Sequence, residues 1–334
     1  MALLSIRNLT TIFHTEEGVI TACDQVSLDI PAGKTVGLIG ETGCGKSVLG
    51  MSILRLLPRN ATIIGEILYK GQDILSMNAD RLRRLRGNEI ALLPQSPATS
   101  LNPALKIGFQ IAEGLHLHRK TPWEQAWSKA IKMLDFLKLP EPEKRVQEYP
   151  HQLSGGMKQR ALAAASITGR PCLLIADEPT KGLDAILRAQ VVGVLRQLVR
   201  ETGAAMLLIT HDLKVAASLC DEIAVMYAGE ILEHGDAEQV LTKPLHPYTR
   251  GLLASLPEHG LYPIPGYSPG LMDVPAGCKF HRRCPLARDL CAVKRPPLQL
   301  NNGSHVRCLF IDQCTEPQQN LYGRDLQKTA VYSG

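Results

Sequence analysis

Short apolar, β-branched runs alternate with helix-type patterns through the first 240 residues of the chain. Four of these runs predict buried strands, at 35–39, 90–93, 172–176 and 205–209. Two further segments, 26–30 and 62–69, alternate polar and apolar residues, which is typical of antiparallel edge strands. The order of the elements predicts an α/β fold, with a mostly parallel sheet covered by helices.

The pattern changes twice along the chain. Residues 97–152 show helical periodicity alone, for example at 107–117 and 122–137, which predicts a helical insertion into the sheet domain. After residue 244, frequent prolines interrupt any long helix or strand and predict a loop-rich appendage. We therefore divide the chain into a sheet domain at 1–243, a second domain at 244–314 and a loosely ordered tail at 315–334.

Composition narrows the class of protein. The 334 residues suit about two domains, and 45% apolar with 21% charged residues is ordinary for a globular protein. The charge of +5 (37 − 32) is mild, and 4% aromatic residues argues against a base-stacking surface for single-stranded nucleic acid. No apolar run reaches 18 residues, and the start lacks a signal-peptide pattern. We therefore expect a protein that is neither inserted into a membrane nor exported by a signal in its own sequence.

A glycine-rich motif follows the strand predicted at 35–39. The segment Gly40, Glu41, Thr42, Gly43, Cys44, Gly45, Lys46 and Ser47 matches G-x-x-x-x-G-K-[ST] and precedes a predicted helix. Glycines let the backbone N–H groups approach the β-phosphate of a nucleotide. Lys46 is expected to reach the β- and γ-phosphates, and Ser47 to ligate Mg²⁺. In isolation, such a segment could also be a glycine-rich turn that binds nothing.

Two adjacent acids follow the strand predicted at 172–176. Asp177 at the end of a buried strand can hold the Mg²⁺ shell, and Glu178 can face a water in line with the γ-phosphate. Glu178 is therefore our candidate general base. Paired acids after a strand are otherwise often a solvated edge, and the nearby glycine-rich motif favours the catalytic interpretation.

The segment 153–160, Leu-Ser-Gly-Gly-Met-Lys-Gln-Arg, resembles the signature sequence of ATP-binding cassette (ABC) ATPases. The resemblance covers about residues 3–241 and includes Gln95 at the Q-loop position, Asp184 in the D-loop and His211 as the switch histidine. It implies a P-loop ATPase domain that pairs head to tail with a second one. ATP then lies between the P-loop (residues 40–47) of one domain and Ser154, Gly155 and Gly156 of the other.

The resemblance also implies roles for single residues. Gln95 joins Ser47 and Asp177 around Mg²⁺, His211 and Gln95 assist Glu178 in catalysis, and Phe13 is the aromatic that stacks on adenine. A core phenylalanine at position 13, a structural histidine at position 211 and an ordinary helix cap at Ser154 are the alternatives.

This sequence departs from the family pattern at three places. Met157 replaces the more frequent Gln of the signature, and Lys181 and Gly182 precede Asp184 where Ser and Ala are usual. Cys44 places a thiol inside the P-loop near a helix N-terminus. We expect a lowered pKa there and sensitivity to alkylation or oxidation.

The C-terminal part is similar to the corresponding region of peptide-importer ATPases, over about residues 244–310. The segments 245–250, Leu-His-Pro-Tyr-Thr-Arg, and 277–285, which contains Cys278 and Cys284, carry this similarity together with Cys291. It implies the importer branch that handles peptides, nickel and metal chelates. The alternative is a Pro-rich tail with no bearing on the substrate.

Five of the nine cysteines lie in the last 57 residues, and in a chain that is not exported such a cluster suggests a metal more than disulfides. Cys278, Cys284, Cys291 and Cys308 could hold a [4Fe–4S] cluster or a Zn²⁺ ion, or be free thiols or disulfides. The spacing of the four cysteines does not distinguish these possibilities, whereas the importer resemblance favours an iron–sulfur cluster. Nearby basic residues are expected to offset the thiolate charge: Lys279, Arg282, Arg283, Lys294 and Arg295.

These observations predict an ATPase subunit that drives a separate membrane permease for the import of di- or oligopeptides. The expected partners are two permease subunits, a second ATPase subunit and, through the complex, an extracellular solute-binding protein, with no nucleic acid. The expected location is the cytoplasmic face of the membrane, as a peripheral subunit. Alternatives are a nickel or metal-chelate importer, a nontransport ABC ATPase, and a binding module with a degenerate ATPase.

Overall fold

The computed structural model of this chain describes residues 2–311, which form two compact units. The first unit comprises residues 31–33 and 76–208, and the second comprises residues 2–30, 34–75 and 209–311. The tail predicted at 315–334 and Cys314 lie outside the described residues.

The strands of the described residues are β1 (Ala2–Thr15), β2 (Gly18–Pro31), β3 (Thr35–Ile39), β4 (Ala61–Tyr69), β5 (Gln72–Asp73), β6 (Ile90–Leu93), β7 (Leu173–Asp177), β8 (Ala205–Thr210), β9 (Glu222–Tyr227), β10 (Glu230–Asp236), β11 (Gln299–Asn301) and β12 (Ser304–Val306). The α-helices are α1 (Lys46–Ile53), α2 (Ala79–Leu85), α3 (Pro97–Ser100), α4 (Ile107–Arg119), α5 (Trp123–Phe136), α6 (Pro142–Arg145), α7 (Gly155–Ile167), α8 (Ala185–Thr202), α9 (Leu213–Leu219), α10 (Ala237–Thr242), α11 (Pro247–Ala254) and α12 (Asp289–Val293). Short 3₁₀ turns occur at Ile74–Ser76, Pro150–Gln152, Pro257–His259 and His281–Arg283.

The second unit contains a four-stranded sheet in the order β2-β1-β4-β5. β1 and β4 pair antiparallel, with Leu4 opposite Tyr69 and Phe13 opposite Ala61. This confirms the antiparallel strand predicted at 62–69, but the prediction of an edge position was wrong there, because β4 lies between β1 and β5. The strand predicted at 26–30 lies within the longer β2, which is at the edge of the sheet. The alternation of polar and apolar residues indicated these strands correctly because one face of this sheet is buried.

A second sheet of the same unit has the order β11-β12-β10-β9-β3. β3 and β9 are parallel, whereas β10 pairs antiparallel with both β9 and β12. All five residues of β3 are buried, as expected for a strand covered on both faces. The C-terminal hairpin of β11 and β12 thereby extends the sheet that begins beside the P-loop.

The C-terminal segment also shares its core with the sheet of the second unit. Tyr248, Ile264 and Phe280 belong to one buried cluster with Ile39 and Val225. Tyr227, Tyr248 and Phe280 have ring centroids 4.7 to 5.3 Å apart, in the tilted and edge-on arrangements that aromatic pairs favour. The loop-rich segment predicted after residue 244 is therefore packed against the strands that position the P-loop.

In the first unit, β6 and β7 pair in parallel, with Ile90 opposite Leu173. Residues 97–152 contain helices and no strand, as predicted. Helix α5 buries Ala126, Ala130 and Leu134, which recur at four-residue intervals on one face. It begins one residue later than predicted, because Pro122 has extended backbone angles and occupies the cap position.

No helix among residues 2–311 is long and apolar enough to cross a membrane.

Candidate nucleotide-binding and hydrolysis site

The P-loop connects β3 to α1 in the second unit, and its three glycines have positive φ angles of 152° at Gly40, 85° at Gly43 and 107° at Gly45. A Cβ atom on Gly40 would lie 2.1 Å from the carbonyl oxygen of Met226, and one on Gly45 would lie 2.1 Å from that of Ala22. Glycine is thus required at both positions by backbone angle and by space. The chain wraps closely here, in the way that a phosphate cradle requires.

Lys46 is the first residue of α1 and is only 6% exposed. Its ammonium group donates hydrogen bonds to the carbonyl oxygens of Gly40 and Glu41, both at 2.8 Å. The positive charge is therefore held inside the loop, where phosphate oxygens can replace the carbonyl acceptors. Ser47 follows on the same helix and is half-buried.

The Cys44 thiol does not have the lowered pKa that the sequence suggested. Cys44 is 4% exposed, and burial raises its pKa, although the charge and hydrogen bonds of Lys46 act in the opposite direction. The Lys46 Nζ atom lies 3.7 Å from the Cys44 Sγ atom. Desolvation of the thiolate outweighs the neighbouring cation, so the expectation of a lowered pKa was wrong.

Phe13 and His211 also belong to the second unit. Phe13 lies in β1, is half-buried and pairs with Ala61 across the sheet. His211 directly follows β8 and is exposed. Both positions are compatible with the roles that the family resemblance implies.

The acidic pair lies in the first unit, at the end of a strand as predicted. Asp177 is the last residue of β7 and is half-buried, and Glu178 is 8% exposed. Glu178 has a φ angle of 47°, a left-handed conformation that costs a non-glycine residue free energy and is often found at active sites. Gln95 is half-buried and lies two residues after the end of β6, the strand that pairs with β7.

The signature residues form the start of α7 in the first unit. Ser154 is the cap of this helix, and its hydroxyl accepts a hydrogen bond from the backbone N–H of Met157 at 3.4 Å. A Cβ on Gly156 would lie 2.9 Å from the Leu187 side chain, whereas one on Gly155 would meet no atom within 4 Å. Ser154 and Gly155 are exposed, so the fold itself gives no reason for glycine at 155.

Asp184 caps α8 by accepting a hydrogen bond from the backbone N–H of Leu187 at 2.9 Å. This contact gives the D-loop aspartate a structural role in the described chain. The side chain is nevertheless exposed.

Three residues of the C-terminal segment contact Glu41, and the sequence did not reveal them. The Arg283 Nη1 atom donates to both carboxylate oxygens of Glu41 at 3.0 Å, and the Ser268 hydroxyl donates to one of them at 2.6 Å. The Tyr248 hydroxyl accepts a hydrogen bond from the Glu41 backbone N–H at 3.1 Å. These partners are more than 200 residues from Glu41, so no local pattern could have indicated them.

The four candidate cysteines line one small cavity of about 20 Å³, together with His246, Phe280 and His281 among other residues. These cysteines are Cys278, Cys284, Cys291 and Cys308. Burial raises the pKa of Cys278 and of Cys284 to about 12, and the neighbouring cysteines act in the same direction. Among residues 2–311, the side chains form no group of three or more His, Cys, Asp or Glu ligands that could hold a metal ion as they stand.

The basic residues predicted to offset thiolate charge have carboxylate partners instead. Lys279 is 4% exposed and lies 2.8 Å from the Asp24 carboxylate, and Arg295 pairs with Asp24 and Glu230. Arg282 lies 3.8 Å from Asp273. The prediction about these charges was wrong for Lys279, Arg282, Arg283 and Arg295, because sequence proximity to a cysteine does not fix where a long basic side chain points.

Comparison with known proteins gives the same assignment as the motifs. The model of the ABC transporter family matches residues 23–181, and that of the oligopeptide/dipeptide transporter C-terminal region matches residues 232–291. The oligopeptide transport ATP-binding protein OppD of Haemophilus influenzae is 40% identical over 92% of this chain and 96% of its own length. The protein of the same name from Escherichia coli is 40% identical over 92% of this chain and 93% of its own length.

Solved structures agree with this relationship. A dimeric bacterial ABC transporter cassette matches with a TM-score of 0.63 and 25% identity, over 70% of this chain and 98% of the cassette. Given the identity to full-length relatives, the chain belongs to the ABC transporter family, in the branch of ATP-binding proteins that carry the oligopeptide/dipeptide transporter C-terminal region.

Proposed function

We propose that this chain is the ATP-hydrolysing subunit that powers the import of di- or oligopeptides through a separate membrane permease. The observation that carries the proposal is the combination of a P-loop built on positive-φ glycines and a buried lysine with a C-terminal region of the peptide-transporter type. Relatives named as oligopeptide transport ATP-binding proteins cover nearly the whole chain. A degenerate binding module is disfavoured because Lys46, Asp177, Glu178 and His211 are all present.

In this proposal the P-loop N–H groups and Lys46 bind the β- and γ-phosphates of ATP. Ser47, Asp177 and Gln95 hold Mg²⁺, whose charge offsets that of the phosphates. Glu178 removes a proton from the attacking water, and His211 assists at the γ-phosphate. Phe13 stacks on the adenine ring.

The signature residues complete the site of a second ATPase subunit. Gly155 is exposed and meets no neighbour, so its lack of a side chain serves an approach from outside the chain. Ser154, Gly155 and Gly156 then contact the γ-phosphate bound by the partner, and Asp184 faces the same interface. ATP binding closes the dimer and hydrolysis reopens it.

The remaining partners follow from this cycle. Two permease subunits, which the helical insertion contacts, carry the peptide across the membrane, and an extracellular solute-binding protein delivers it. The chain lies peripherally at the cytoplasmic face of the membrane. The domain boundaries at 243 and 314 and the insertion at 97–152 stay predictions within this proposal.

The transport proposal is tested in cells that lack this chain. Wild-type protein is expected to restore uptake of a radiolabelled tripeptide, whereas Lys46→Ala, which removes the phosphate-binding cation, is expected not to. Restored uptake of ⁶³Ni²⁺ without restored peptide uptake would favour the metal-chelate alternative. Salt-sensitive, ATP-responsive DNA binding with no permease association would favour a nontransport ATPase.

We further propose that Cys278, Cys284, Cys291 and Cys308 hold a [4Fe–4S] cluster. Four cysteines around one cavity are the donor set that such a cluster uses, and binding would replace the buried protons of these thiols by iron. The cluster would supply cross-links between loops that contain few apolar residues. The side chains of residues 2–311 form no ready group of three or more metal ligands, which favours neither the cluster nor the zinc alternative.

Anaerobically purified protein is expected to be brown and to contain about four irons per chain. Cys284→Ser is expected to lose this iron, whereas Cys172→Ser, an exposed cysteine of the first unit, is expected to keep it. Colourless protein with one zinc per chain would overturn the iron assignment. Unchanged metal content and stability in Cys284→Ser would remove the site altogether.

A further inference from the structure

Glu41 of the P-loop contacts the C-terminal segment through both its side chain and its backbone. Glu41 is a loop residue whose carbonyl oxygen accepts a hydrogen bond from Lys46, while its side chain is bound by Arg283 and Ser268. Its backbone N–H is bonded to Tyr248. The C-terminal segment thus holds one residue of the phosphate-binding loop at its amide and at its carboxylate.

The guanidinium of Arg283 is built into its surroundings. The Arg283 side chain is 7% exposed, its Nε atom donates to the carbonyl oxygen of Pro265 at 3.0 Å, and its guanidinium lies over the Tyr227 ring at 5.8 Å. The Arg283 Nη1 atom also donates a hydrogen bond to the Tyr227 hydroxyl oxygen at 3.4 Å. Arg283 is therefore a fixed cation, aimed at Glu41 by the 3₁₀ turn His281–Arg283.

Anchoring of the C-terminal segment does not depend on this contact. Lys279 and Arg295 already join the segment to Asp24 and Glu230 on strands β2 and β10. The hairpin of β11 and β12 adds backbone pairing to β10. If the contact of Arg283 with Glu41 only anchored the segment, it would be redundant, and it would not need to involve a P-loop residue.

We propose that Arg283 is a positioning residue for ATP binding, acting through Glu41. This inference rests on the proposed nucleotide site and adds the C-terminal segment to it. Arg283 neutralises a carboxylate in the loop that receives a polyanion, and it fixes the Glu41 backbone against which Lys46 is held. Without Arg283, the Glu41 charge is left without its main partner and repels the phosphates.

The test measures binding of Mg²⁺ with a nonhydrolysable ATP analogue to the full-length chain by calorimetry. Arg283→Gln is expected to raise the Kd about tenfold, a size common for coupling between sites. Arg283→Lys, which keeps the charge, is expected to recover most of the loss. Arg282→Gln is the matched control, because this neighbouring arginine is 61% exposed in its side chain, and its Kd is expected to stay within about twofold of wild type.

Charge neutralisation makes a specific prediction for the double variant. In Glu41→Gln with Arg283→Gln no carboxylate remains to repel phosphate, so its Kd is expected to be closer to wild type than that of Arg283→Gln alone. Steady-state hydrolysis is expected to show the same rise in KM for ATP with kcat within about twofold, because Arg283 touches no reacting atom. A residue needed only for folding would lower the melting temperature without this split or this rescue.

The outcomes separate the two proposals. If wild type binds no ATP analogue, or Lys46→Ala binds it equally well, the nucleotide site itself is wrong. If binding is lost in Lys46→Ala but Arg283→Gln matches wild type or Arg282→Gln, only this inference is overturned. Additive losses in the double variant would also overturn it. Should Arg283→Gln not fold, Ser268→Ala is expected to raise the Kd about twofold to threefold, and an unchanged Kd there would contradict the inference.

Discussion

The P-loop and the signature segment (residues 153–160) are both glycine-rich and both precede a helix, yet their surroundings differ. In the P-loop, Gly40 and Gly45 are enforced from inside, since a Cβ on either would lie 2.1 Å from a carbonyl oxygen. In the signature segment, Gly155 has open space and an ordinary backbone conformation. The fold of the described chain thus explains the glycines of the P-loop but not Gly155, for which we propose the approach of a second ATPase subunit.

The largest effect is expected for Glu178, whose substitution should lower ATP hydrolysis and leave ATP binding intact. Glu178→Gln removes the proposed base while Lys46, Ser47 and Asp177 remain, so ATP hydrolysis is expected to fall by at least about 100-fold with ATP binding retained. ATP-dependent dimers should then accumulate, which gel filtration measures. Wild-type turnover of this variant in the presence of its partners would exclude Glu178 as the base.

Alanine substitution of one glycine from each segment tests the comparison directly. Gly45→Ala forces a side chain onto a φ of 107° against the Ala22 carbonyl, so we expect a loss of about 2 kcal/mol or more in stability and no ATP binding. Gly155→Ala is expected to leave the melting temperature unchanged or slightly raised, since alanine fits its backbone angles. Its ATP-dependent dimerisation and hydrolysis should fall about tenfold.

The comparison fails if the two variants behave alike. A Gly155→Ala protein with normal dimerisation would show that the signature edge tolerates a methyl group, and thus that no partner phosphate comes close to it. A stable, ATP-binding Gly45→Ala protein would show that the P-loop can shift to relieve the contact.

Coupling to the permease is expected to be separable from both segments. Leu117 on α4 is 65% exposed, and Leu117→Glu is expected to lower peptide transport about threefold to tenfold while ATP affinity stays constant. Leu300→Glu is the matched control, because Leu300 in the second unit is 67% exposed. Equal transport by the two variants, or equal copurification with permease, would show that the permease does not dock at Leu117 on α4.

Sequence reasoning succeeded where the chemistry is local. The P-loop, the acids that end β7 and the helical insertion are contiguous patterns, so periodicity and spacing sufficed to place them. It failed at Cys44, whose pKa is set by burial in the assembled fold rather than by its helix. It also missed the pairing of Glu41 with Arg283, which joins residues 242 positions apart and depends on how the C-terminal segment folds back.

The last prediction concerns pH and a buried histidine beneath the P-loop. His246 caps α11, the helix that carries Tyr248 to Glu41, and its Nδ1 atom accepts a hydrogen bond from the Tyr248 N–H at 3.0 Å. Complete burial lowers the pKa of His246 to about 3. Between pH 6.5 and 3 the unfolded chain therefore binds a proton at this residue that the folded chain does not, and the free energy of unfolding falls as the pH falls.

His246→Asn keeps a capping acceptor but cannot titrate, so it isolates this contribution. Nearby Glu233, whose pKa burial raises to about 6, acts in the opposite direction, but it is present in both proteins and cancels in their difference. The slope approaches about 1.4 kcal/mol per pH unit once the unfolded histidine is fully protonated and is half of that at pH 6.5, so wild type should lose about 1.6 kcal/mol relative to the variant between pH 6.5 and 5. Denaturant unfolding at the two pH values measures this difference. A constant difference would mean that His246 accepts a proton within the folded protein, and the buried cap would then not limit the stability of the P-loop support in acid.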